Sequence, residues 1–218
     1  MFNRNTVVDI REEFKRLLDE KQFVTDKSGV KIVEIPNASF IADESCIFGT
    51  VNYDYVLREL SWYYSESLNV NDIPGGPPAV WKLVADKDGY INSNYGWCIF
   101  SPENISQYDK VLNELKTSPE SRRAIMIYTR PTMWYDYNYN GRSDFMCTNA
   151  VQYMIRNNKL QTIVQMRSND VIFGYKNDFA WQRHIHEKLA GDLNIEYGDI
   201  HWNVGSLHVY EKHFNLVK

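Results

Sequence analysis

The 218-residue sequence predicts an α+β fold, a mixed β-sheet with helices packed on one side. Three observations predict it. Apolar residues recur at helical spacing in a few long segments, and short runs rich in β-branched and aromatic residues lie between those segments. Several of the runs follow one another through short turns, as antiparallel or mixed pairing requires and a doubly wound parallel sheet does not.

The first helix is expected at residues 9–20, "DIREEFKRLLDE", where Ile10, Phe14, Leu17 and Leu18 share a face. A strand follows at 30–36, "VKIVEIP". The segment 54–67, "DYVLRELSWYYSES", is a less regular helix whose apolar residues are dense enough for burial on more than one side. After the loop "NDIPGGPPAVW" comes a helix at 105–116, "ISQYDKVLNELK", with Ile105, Tyr108, Val111, Leu112 and Leu115 on one face. Strands are expected at 122–130, 150–156, 160–168 and 199–206. The last helix, at 177–193, is expected to be capped by Asn177 or Asp178 at its start and ended by Gly191.

Composition narrows the class. With 44% hydrophobic and 14% aromatic residues the chain can bury a full core, and one domain over residues 1–218 is expected. The net charge is −4 and the cations are scattered, which argues against binding a nucleic acid polymer. Nothing has the length of a membrane span or the form of a signal peptide, so a cytoplasmic protein with no membrane partner is expected. Cys46, Cys98 and Cys147 form no CxxC pair, and neither disulfides nor a metal is indicated.

The dinucleotide, P-loop, zincin and serine-hydrolase motifs are absent, so chemistry must come from elsewhere. His184 and His186, two apart on a helix, face different ways and are expected at the surface. Three stretches stand out. Cys147 in "SDFMCTNAVQY" sits on the approach to a strand; a small buried hydrophobe and a nucleophile are both open readings. Arg167, Ser168, Asn169 and Asp170 bunch at a strand end ahead of Gly174 and Asp178, where a fork-shaped cation beside a hydroxyl suits a phosphate monoester. Arg122 and Arg123 open a strand, as anion ligands or as ordinary surface charges.

Glu59 in "LRELSWYY", Trp81, Tyr95 and Gly96 in "NSNYG", Arg122, Arg123, Cys147, "RSNDVIFGYKND" and "GSLHVYEKHF" together resemble the thymidylate synthase superfamily over nearly the whole chain. The likeness is strongest to its phage-type branch that hydroxymethylates deoxycytidylate, because "SDFMCTN" replaces a proline-rich Cys-His element and Asp178 stands where uracil-binding members carry asparagine. The resemblance implies a thymidylate synthase-like sheet, a homodimer formed through it, dCMP as substrate and 5,10-methylenetetrahydrofolate as co-substrate. A place in a nucleotide-synthesis complex is also open.

By that resemblance Cys147 is the nucleophile that adds to C6 of the pyrimidine, with its thiolate favoured by neighbouring arginine charge, and Cys46 and Cys98 only pack. Asp178 reads cytosine and protonates N3, and Glu59 orders water beside C5. Arg167, Ser168 and Lys27, the last in place of a family arginine, hold the phosphate, with Arg122 and Arg123 reaching across from a second subunit. Asn169 and Tyr95 line the nucleotide site, and His208 and Tyr210 bind the sugar 3′-hydroxyl. Trp81, Asp170 and Gly174 meet the folate. The superfamily continues past "HFNLVK" into a segment that closes over the folate, which this chain is expected to lack. The enzymatic rival is reductive methylation of dCMP or dUMP; the other is a non-catalytic scaffold.

Overall fold

The computed structural model describes residues 4–218. In chain order they form α1 (Val7–Asp19), β1 (Val24–Thr25), β2 (Lys31–Ile41), α2 (Tyr53–Tyr64), α3 (Ala79–Val84), α4 (Tyr95–Phe100) and α5 (Gln107–Thr117). There follow β3 (Ile125–Ile127), α6 (Met133–Asp136), β4 (Thr148–Arg156), β5 (Lys159–Asp170), α7 (Gly174–Leu193) and β6 (Glu196–Tyr210). The class is α+β, as expected. The described residues fall into two compact units, one reaching Val51 and resuming at Ile155–Lys218, the other Asn52–Met154.

In the first unit β6 is the axis of a mixed sheet. It pairs antiparallel with β2, which pairs antiparallel with β1, and it pairs parallel with β5. Parallel neighbours need a crossover, and α7 supplies it. The buried face of α7 carries Phe179, Gln182, Ile185, His186 and Leu189, a stripe at spacings of three and four. Tyr175 packs edge-on to Trp202 of β6, centroids 5.2 Å apart, and tilted against Phe40 of β2 at 5.9 Å. Each such ring, fully removed from water, contributes on the order of 2–3 kcal/mol. α1 lies against β2 and buries Val7, Ile10 and Phe14.

The second unit is mostly helical. α2 opens on Asn52, whose side chain accepts from the Tyr55 N–H, and buries Tyr55, Val56, Glu59, Trp62 and Tyr63. α4 packs on both α2 and α5. The contact with α2 is close: a Cβ on Gly96 would lie 1.8 Å from the Tyr63 carbonyl oxygen, so only glycine fits. β3 pairs antiparallel with β4, Met126 opposite Val151.

Three expectations need correction. The helix expected from residue 105 begins at Gln107; Ile105 and Ser106 both have positive φ, 61° and 47°, and Ile105 is exposed, because Pro102 opens a separate 3₁₀ turn that must unwind before α5 starts. α7 begins at Gly174, and its first N–H groups are met by the Asp170 carboxylate; it ends on Asn194 at φ 55°, with Gly191 still helical. His186 is buried, not at the surface: its Nδ1 lies 2.7 Å from the Thr162 hydroxyl, and burial pushes its pKa down to about 4.

Candidate active site

Cys147 is half-buried and immediately precedes β4. The segment bearing it is fastened on both sides. Ahead of it, the Asp144 carboxylate accepts the backbone N–H of Asn92 at 2.6 Å, that of Ser93 at 2.8 Å, and the Ser93 hydroxyl at 2.7 Å. The Asn92 amide returns a bond to the Asp144 carbonyl at 2.9 Å. Behind it, the wholly buried Thr148 donates its hydroxyl to the Tyr95 phenol at 2.9 Å. Tyr95 is itself stacked on Tyr63 at 5.4 Å. The nucleophile candidate therefore sits on a loop whose neighbours cannot swing. Burial pushes the Asp144 carboxyl up, against the pull of its three donors, and pushes the Cys98 thiol up to about 12, which suits that cysteine to packing alone.

Glu59 is another buried carboxyl of this unit. It accepts from the Tyr55 hydroxyl and from the Trp81 indole N–H, the latter at 3.0 Å. Desolvation raises its pKa, and the two hydrogen bonds oppose that only in part. A buried carboxyl with a raised pKa, its oxygen fixed by two donors, is suited to ordering or activating a water. Trp81 is thus joined to Glu59. Arg122 and Arg123 are exposed; Arg123 pairs with Glu114 at 3.0 Å, and the Arg122 carbonyl accepts from Gln152.

In the first unit the end of β5 carries Arg167, exposed, then Ser168, Asn169 and Asp170. Asn169 is buried and oriented from both ends. Its oxygen accepts from the Trp202 indole at 3.3 Å, and since an indole only donates, the amide NH2 must face Asp178, 2.7 Å away. Asp178 lies one turn inside α7 and is not its cap, so the helix has no local need of a carboxylate there. Asp170 is the cap: one oxygen accepts from the N–H groups of Ile172, Phe173 and Gly174 at 3.0, 2.6 and 3.3 Å. Its other oxygen is buried with no hydrogen-bond partner among the described residues. Gly174 gives the helix start room; a Cβ there would come within 3.1 Å of the Asn169 amide.

A cavity of about 250 Å³ lies beside this strand end, lined in part by Ser168, His208 and Tyr210. The two rings sit edge to face with centroids 4.9 Å apart. Lys27 is exposed in the turn next to Asp26, a cavity wall residue. Sequence reasoning missed Asp144, Tyr55, Asp26, Glu34 and Ser206. Asp144 alone left a trace, as the acidic residue three before Cys147; Tyr55, Glu34 and Ser206 take their places by helix face or strand register, and Asp26 by the turn after β1.

The family model described as "Thymidylate synthase" matches residues 15–218. The deoxycytidylate 5-hydroxymethyltransferase of Enterobacteria phage T4 is 57% identical, covering 97% of this chain and 89% of that protein. A thymidylate synthase of Francisella tularensis subsp. holarctica is 27% identical over 74% of this chain and 63% of its own length. Among solved structures, thymidylate synthase from T4 phage superposes with a TM-score of 0.77 at 20% identity, over 94% of this chain and 77% of that one, a likeness of fold. The extent of the family match, and a relative this similar along almost the entire chain, lead to one assignment: the chain belongs to the thymidylate synthase family.

Proposed function

We propose that the protein transfers a one-carbon unit to C5 of dCMP and completes it with water, giving 5-hydroxymethyl-dCMP. The observation that carries this is the 57% identity, over 97% of the chain, to a protein named for that activity. The site residues supply the chemistry. The Cys147 thiolate adds to C6 and makes C5 nucleophilic. The co-substrate 5,10-methylenetetrahydrofolate would supply the carbon that C5 takes up; loss of the C5 proton and departure of tetrahydrofolate would then leave the exocyclic methylene. The free oxygen of Asp170, buried and acceptor-only, suits the N–H edge of a pterin, and the half-buried Trp81 ring offers a flat apolar surface.

Asp178 meets N3 and the N4 amino group of cytosine. One proton shared with N3 lets a carboxyl accept from N4–H and neutralise N3 as C6 is attacked. Asn169 keeps that carboxyl turned, and Glu59 orders the water that adds to the exocyclic methylene before Cys147 leaves. Ser168, Arg167 and Lys27 hold the phosphate, and Tyr95 supports the nucleotide site through Thr148. A reaction on free nucleotides places the protein in the cytoplasm.

The functional unit is a homodimer in which Arg122 and Arg123, both exposed, serve the partner's phosphate site; the exposed Ile125 and Ile127 of β3 give a sheet-to-sheet contact apolar surface to cover. Sedimentation finding a monomer with full dCMP affinity would remove that part. Incubation with dCMP and methylenetetrahydrofolate, followed by mass analysis, tests the reaction: a hydroxymethyl group is expected, and a methyl group or no product refutes it.

A further inference from the structure

Two carboxylates line the cavity beside β5: Asp26 and Glu34, facing Ser168, Ser206, His208 and Tyr210. Strand register explains the grouping. Glu34 stands directly opposite His208 in the β2–β6 ladder, Ser168 opposite Ser206 in the β5–β6 ladder, and Ser206, His208 and Tyr210 alternate along one face of β6.

The groups are also linked. The Ser206 hydroxyl donates to Glu34, and the same hydroxyl lies 3.5 Å from His208 Nδ1. Nδ1 is 3.3 Å from the Ser206 carbonyl oxygen, which can only accept, so the neutral ring carries its proton on Nδ1 and presents Nε2 as an acceptor. That arrangement receives a hydroxyl. The Asp26 carboxyl, on the same cavity wall, is held below the usual range first by the Ser28 hydroxyl. No cation lines the cavity among the described residues. An anion entering beside His208 would meet two negative groups.

We propose that Glu34, assisted by Asp26, makes this cavity selective for a nucleotide with a free 3′-hydroxyl by repelling any 3′-phosphate, so that mononucleotides enter and deoxycytidine within a polymer does not. The proposal rests on the reading of His208 and Tyr210 as the residues that hold the sugar. Glu34 acts both directly, as a charge, and through Ser206, as a positioning residue for His208. Like charges brought together in a partly enclosed site repel one another, and the cavity opening to water reduces this.

The test compares binding of dCMP with that of deoxycytidine 3′,5′-bisphosphate in the full chain and in Glu34→Gln. The bisphosphate is expected to bind at least about tenfold tighter in the variant. dCMP should bind more weakly, because an amide is a poorer acceptor for Ser206 than a carboxylate. Opposite signs are the mark of a charge effect, since general damage weakens both ligands. Asp26→Asn keeps its turn, as the asparagine oxygen still accepts from the Ser28 and Val30 N–H groups, and should move the bisphosphate in the same direction by less. Loss of affinity for both ligands in step, in both variants, overturns the proposal. dCMP turnover by the unaltered chain is measured alongside: no turnover with the selectivity shift intact refutes the reaction and leaves the selectivity standing, while turnover with neither variant moving the ratio overturns the selectivity alone.

Discussion

The loop bearing Cys147 and the helix turn bearing Asp178 are both held rigid, by different means. The segment ahead of Cys147 is fixed largely through the main chain: Asp144 collects two backbone N–H groups of the 92–93 segment, with the Ser93 hydroxyl beside them. Asp178 is fixed through side chains, by an Asn169 amide that Trp202 turns the right way. A nucleophile needs one position and one attack direction, and a backbone clamp supplies both. A base reader must match a donor and acceptor pattern, and a side-chain relay leaves that pattern open to change by a single substitution.

The largest effect is expected at the proposed nucleophile. Cys147→Ser should lower turnover by at least about 10⁴-fold while dCMP still binds, because a serine hydroxyl is the weaker nucleophile and the phosphate contacts persist. Substantial turnover in that variant would refute the covalent route. Next comes Asp178→Asn, which should shift preference from dCMP toward dUMP by roughly 10²-fold or more, read as tritium release from C5 of each nucleotide. Asparagine restores the order of donor and acceptor that uracil presents. Unchanged preference would return Asp178 to a structural role.

The clamp gives a smaller effect of another kind. Asp144→Ala strands two buried N–H groups and should cost about 2–4 kcal/mol in denaturant unfolding. Asp144→Asn should cost far less, since its oxygen can keep the two N–H groups while the Ser93 hydroxyl turns to accept from its NH2. Equal losses in the two variants would show that the charge of Asp144 matters and not its acceptor geometry. The smallest effect lies at Glu59. Its folded pKa is raised above the ordinary 4.5, so the native state holds its proton longer than the unfolded chain does. Stability from this group is complete below 4.5 and declines as pH rises toward the folded pKa, with a slope of up to about 1.4 kcal/mol per pH unit. Glu59→Gln should flatten that decline, measured as Tm against pH; an unaltered slope would place the titration elsewhere.

The same contrast explains what could be read in advance. Asn169, Asp170 and Asp178 lie within one turn-and-helix segment, and the "RSND" cluster was visible because its partners are near in sequence. The strands and the stripe of α1 were visible for the same reason: periodicity reports on neighbours. Asp144 bonds to residues 51 and 52 positions away, and no local pattern records such a bond. Glu34 and Ser206 meet across 172 positions through strand register alone. His186 was misplaced because a polar residue on a buried helix face looks like an exposed one until Thr162 is known to stand beneath it. Asp170 was read for its ligand, and its capping of α7 went unseen because the helix starts three residues before the expected cap.

The central position of β6 has a consequence for the order in which the protein comes into being. The walls of the cavity are drawn from residues 24–34 and from residues 168–210, and β2 has no long neighbour other than β6 in its unit. A chain growing from its N-terminus on the ribosome therefore carries half of this cavity as an unpaired edge for most of synthesis. Only when Tyr210 has cleared the exit are both walls present, so any ligand of this cavity can stabilise the finished molecule but cannot guide its making.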